Sequence, residues 1–167
     1  MRYLWYTKNN APCLGKNMPS LTNRFIKLIL PFLSAWLVAF LLASVFHSCF
    51  VLYGLIAIDI DINTASAFSM IFQDITGLLP TYGVIIAAAL LIAFIFARFV
   101  FLRQPTATSL SILVFALSGA AAFMVMLAAM QPILDVTLIA GARTTMGIFA
   151  QCASGFVGGA LFGKLKQ

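Results

Sequence analysis

Apolar residues fill the chain in four long runs, and polar residues cluster in the short stretches between them. The runs cover about residues 26–58, 79–102, 107–130 and 144–165, the densest stretch being LILPFLSAWLVAFLLASVF in the first. A transmembrane helix needs about 20 predominantly apolar residues, so each run is long enough to cross a bilayer. The first exceeds the hydrocarbon thickness and must tilt or project beyond it. Pro31 lies in its first turns, where a missing N–H costs little. Pro80 stands at the start of the second run, a favoured place for proline, and Arg103-Gln104-Pro105 ends it. The third run stops before Pro132. The pattern predicts an all-α polytopic membrane protein, a four-transmembrane-helix bundle over residues 25–167, preceded by a tail over 1–24. Within that tail Met18 is an alternative start, since MPSLTNRFIKLIL leads directly into the first helix.

The segments on the other side of the predicted membrane from that tail carry patterns of their own. In the first, Phe68, Ile71, Phe72 and Ile75 recur at helical spacing with Ser66, Ser69, Gln73 and Asp74 between them. That arrangement predicts a short helix lying in the membrane interface, apolar face down, capped by Asn63 or Thr64. The second, PILDVTLIAGA, is apolar but broken by Asp135 and Gly141. It either lies at the interface or folds back into the bundle, where irregular backbone must be buried in protein.

Composition bears out the lipid setting. Hydrophobic residues make up 63% of the chain and charged residues 8%, against about 25% charged in soluble domains. The net charge of +6 does not point to nucleic acid, because the bases lie scattered at the ends of apolar runs. Arg2, Lys8, Lys16, Arg24 and Lys27 precede the first helix, Arg98 and Arg103 lie between the second and third, and Lys164 and Lys166 close the fourth. The opposite loops hold Asp59, Asp61, Asp74 and Asp135 with one base, Arg143. Lys and Arg are retained on the cytoplasmic side, so both termini are expected inside. Compact loops without a transit peptide fit the bacterial cytoplasmic membrane. A cleaved signal peptide does not fit, since its apolar region spans only about 7–15 residues. Phe46-His47-Ser48-Cys49 matches a lipoprotein cleavage site only loosely, its Phe and His being too bulky. Cys13, Cys49 and Cys152 are odd in number and far apart, which suits neither a disulfide framework nor a zinc site.

The clearest motif lies on the fourth helix. Gly147, Gln151, Gly155, Gly159 and Gly163 follow one another at intervals of four, with Ser154 and Gly158 on an adjacent row. Such a stripe lets another helix approach until backbones nearly touch, in the same chain, in another copy or in a foreign subunit. Gln151 then sits in the seam and needs a partner for its amide. Ala35, Ala39 and Ala43 mark a similar face of the first helix, and His47 continues their row into the bundle. An ionisable group at membrane depth is a functional candidate by default; the structural alternative is a neutral imidazole bonded to a neighbouring helix. Arg98 suits snorkelling to the headgroups. Arg143 breaks the charge rule and is a candidate ion-pair partner for Asp135, or equally for Asp74 or Asp61 in the other outer loop; an anion or substrate contact is the functional alternative. Asp59, Asp61 and Asn63 alternate like the opening of a calcium loop, but its glycine and terminal glutamate are absent.

No metal-ligand spacing, phosphate-binding loop or nucleophile–base pair is present, so catalysis, cofactor and metal are not expected. Small multidrug exporters want an acid inside a membrane helix, quinone-linked disulfide enzymes need paired cysteines, and bis-ligated haem anchors need two ligands. The chain meets none of these needs. The expectation is therefore a non-enzymatic accessory, scaffold or assembly subunit, whose partners are the bilayer and another membrane subunit or further copies of itself. The alternative is a small homo-oligomeric transporter or channel with a polar path near His47, Gln151 and Arg143.

Overall fold

The computed structural model describes residues 21–56, 63–101, 107–134 and 144–166, all of them helical or bounding helices. Helix α1 covers Leu21–Ile56 and α2 covers Thr64–Leu78; a π-helical turn over Leu79–Gly83 leads into α3, Val84–Val100. Helices α4, Thr108–Leu134, and α5, Thr145–Leu165, complete the order. Four stretches are long and apolar enough to cross a membrane: Lys27–Ile56, Ala65–Val100, Thr108–Met130 and Thr145–Leu165. The chain is an all-α, multi-pass membrane protein.

Helix α5 sets the scale. Its 21 residues rise about 31 Å, close to the hydrocarbon thickness of about 30 Å. Thr144 caps it, its extended backbone placing Oγ1 to accept from the Gly147 N–H at 3.1 Å. The 36 residues of α1 rise about 54 Å, so this helix overshoots one boundary. Lys27, Arg98 and Lys166 lie at one end of the bundle, called here the basic end.

Lipid is as apolar as any side chain, so the bundle cannot be held together by hiding apolar surface from water. Leu33, Leu37, Ile92, Phe96 and Phe149 accordingly face outward. The inside holds small residues and aromatic rings. Phe94 stacks on Phe162 at 4.4 Å between centroids, and Phe115 meets both edge-on at 5.7 and 5.0 Å. The Lys166 ammonium sits over the Phe115 and Phe162 rings, 5.0 and 5.1 Å from their centroids. Burial, and then the nearby Arg98 charge, push its pKa below the usual lysine range.

Three boundaries depart from the hydrophobic pattern. The short helix expected between the first two spans is present as α2, but it continues into the second span with no intervening loop. The second span therefore does not begin at residue 79, and Pro80 lies inside a continuous helix. Proline lacks an N–H and clashes with the carbonyl four residues earlier; the wider π turn accommodates both defects. Packing holds that turn in place. Trp36 Nε1 donates to the Gly83 carbonyl at 2.8 Å, and a Cβ on Gly83 would touch the Trp36 and Phe40 rings at 3.6 Å. The third correction concerns α4, which runs through Pro132 to Leu134; so close to the helix end, the lost N–H and the crowding at the carbonyl four residues earlier disturb little of the helix.

Candidate functional site

The glycine stripe of α5 is spent inside the chain. A Cβ built on Gly155 would run into the Gly119 carbonyl of α4, and one on Gly159 into the Phe115 carbonyl. At Gly163 it would come within 2.8 Å of Ile112 Cα. These are backbone atoms, so α4 and α5 touch main chain to main chain along three turns. On the adjacent row, a Cβ on Gly158 would lie 2.8 Å from Ala39 Cβ and 2.9 Å from the Ala35 carbonyl oxygen of α1. Gly147 is also buried, at the capped start of α5. Gly119, which answers Gly155 from across the seam, was not singled out from the sequence; the run Ser118-Gly119-Ala120-Ala121-Ala122 was its signal.

Gln151 ties three helices together. Its Nε2 donates to the Ala43 carbonyl of α1 at 3.0 Å, and its Oε1 accepts from the Tyr82 hydroxyl of the π turn at 3.1 Å. Gln151 and Tyr82 are 1% and 2% exposed. Both ends of the amide are bonded, as burial in an apolar medium demands. Tyr82 and Trp36 could not be read as polar partners from the sequence, because aromatic residues at helical spacing look the same whether or not their polar atoms find a carbonyl.

A second polar group lies one turn further along α1. His47 is 8% exposed and close enough to Asp74 for their charges to couple. Ser48 Oγ lies 2.8 Å from Asp74 Oδ2 and 3.1 Å from the Ser44 carbonyl, its one proton serving either acceptor. Ser44 Oγ is fully buried and makes no hydrogen bond among the described residues. The expectation that no acid stands inside a helix able to cross the membrane is thereby corrected, since Asp74 belongs to the span Ala65–Val100. The carboxylate whose charge reaches His47 comes from α2, not from its own helix.

The remaining candidates separate. Cys49 is exposed and Cys152 buried, both as free thiols. Among the described residues no group of three His, Cys, Asp or Glu side chains could hold a metal. The pair Arg143 and Asp135 lies outside the described residues, as do Met18, Cys13, Asp59 and Asp61. Comparison with protein-family models, with curated proteins and with solved structures finds no match.

Proposed function

We propose that this chain is a non-enzymatic accessory or assembly subunit of a bacterial cytoplasmic membrane complex, with both termini in the cytoplasm. One observation carries the reading: an open apolar groove of about 890 Å³ between α3 and α4. While α4 meets α5 backbone to backbone, it meets α3 more loosely and leaves the groove open beside that contact. Ala88, Ala89 and Ala93 line one wall, and Ala121, Ala122 and Ala129 the other. These alanines stand among larger groups such as Ile92, Phe96, Leu117 and Val125, and they leave room along the groove for a third helix to approach, which is how membrane helices gain contact energy. The glycine stripe no longer supports this reading, because α4 and α1 already cover it. Lys27, Arg98, Lys164 and Lys166 at one end and Asp74 towards the other support the orientation.

A transporter finds less support. From Gln151 towards the basic end the interior is filled by Leu90, Phe94, Phe115 and Phe162. The buried Ser154 hydroxyl on that side is spent on the Ala150 carbonyl of its own helix.

The test is gentle extraction of the tagged protein from its native membrane, followed by the mass and composition of the particle. A stoichiometric foreign subunit is expected. It should be lost in Ala88→Phe and Ala121→Phe, two exposed groove positions where a ring fills the space without entering the core. A particle built only of this chain that conducts a solute in liposomes would sink the accessory reading and favour transport.

A further inference from the structure

We propose that the polar cluster between α1 and α2, next to the π turn, is a binding site for a small monovalent cation of the sodium class, held by the Asp74 carboxylate and the Ser44 and Ser48 hydroxyls. Phe40, Ser44 and Ser48 form one row along α1, each a turn from the next. Phe40 packs beside Gly83, at the end of the π turn, and Ser48 meets Asp74 on α2. Ser44 lies between them on the same row. The row as a whole faces α2 and the π turn that continues from it.

Three features along this stretch carry the inference. The first is the Ser44 hydroxyl, 0% exposed and without a partner among the described residues. Buried hydroxyls are almost always satisfied by protein, water or ion. The second is a carboxylate with one oxygen, Oδ2, already bonded to Ser48, leaving Oδ1 for another partner. The third is the π turn itself, a local widening of an otherwise continuous helix. Pro80 contributes no donor, and a π turn spreads the backbone. The N–H missing at Pro80 leaves one carbonyl of the preceding turn without its helical donor, an oxygen a cation could use.

The donor set selects the ligand class. Hydroxyl, carboxylate and carbonyl are hard oxygen donors, unsuited to soft metals. One carboxylate balances a single positive charge, and no metal-holding group of three acids, histidines or cysteines is present among the described residues. His47 stands beside Asp74 as the rival positive group. Binding is therefore best sought at pH 8, above the ordinary imidazole range of about 6.5.

The chain supplies its own reporter. It has two tryptophans, and Trp36 bonds the carbonyl of Gly83 at 2.8 Å, at the end of the π turn. Full-length Trp5→Phe protein in lipid nanodiscs would be titrated with sodium chloride against choline chloride at constant ionic strength, following Trp36 emission and Tm. A saturable response to sodium, absent with choline, is expected. Ser44→Ala should weaken it at least tenfold without lowering the stability of the ion-free protein, because that hydroxyl has no partner to lose; Asp74→Asn should abolish it. If sodium and choline act alike, or if Ser44→Ala binds as tightly as the parent, the site is at most a pocket for buried water and the proposal is overturned. A response to calcium chloride but not to sodium chloride would overturn the assigned class.

Discussion

Gly159→Val is expected to destroy the folded bundle. The added Cβ would land on the Phe115 carbonyl oxygen and within 3.0 Å of Ala116 Cα. Neither obstacle is the movable end of a side chain. Relief requires α4 and α5 to separate, and separation also forfeits the contacts at Gly155 and Gly163 on the same seam. Inserting extra methyls into a packed core costs about 1–3 kcal/mol when the neighbours can adjust. Here they cannot, so the loss should reach about 3 kcal/mol or more, the upper limit of that range and beyond. Unfolding in mixed micelles with rising SDS, followed by circular dichroism, measures it. Gly54→Ala is the matched control, since its Cβ would find nothing within 4 Å. Replacing a helical glycine by alanine there should leave stability unchanged or raise it by about 0.5–1 kcal/mol. Wild-type unfolding of Gly159→Val would mean that the stripe faces something other than α4.

The second large effect is expected from Gln151→Leu. Leucine nearly matches glutamine in size, so the substitution mainly removes the two hydrogen bonds that join α1, the π turn and α5. The Ala43 carbonyl lies within α1 and keeps the helix ladder, whereas the Tyr82 hydroxyl is stranded at 2% exposure. Stranding a buried polar group costs about 1–3 kcal/mol. Interhelical hydrogen bonds in membranes average nearer 0.6 kcal/mol with a maximum near 1.7, so a loss of about 1–2 kcal/mol is expected. Tyr82→Phe should cost less. The double variant should then be more stable than the sum of the two predicts, because no orphaned hydroxyl remains. Strict additivity in that cycle would mean that Tyr82 and Gln151 do not act as a pair.

How much of this was legible beforehand differs between elements. The start of α5 near residue 144 could be read, because an apolar run is a local property of the sequence. The stripe from Gly147 to Gly163 was also visible, but a stripe names a face and not the helix that covers it. Proline was read as punctuation at 80 and 132, and both times the helix continues past it. A proline lowers local helix stability by a fixed defect, and neighbouring helices decide whether the defect is tolerated. The His47 environment was the least legible of all. Its carboxylate lies on α2, and no local rule connects two positions so far apart in the chain.

The sequence by itself determined the class of protein, the number of spans and their order. Transfer of a segment into lipid is a sum over that segment's own residues, so hydropathy and charge placement suffice. Only the tertiary structure decided that α5 lies against α4 and α1, that Gln151 is held by Ala43 and Tyr82, and that Asp74 stands beside His47 and Ser48. Those outcomes rest on close packing and on hydrogen bonds a few ångströms long, and such forces act between residues that the chain itself holds far apart.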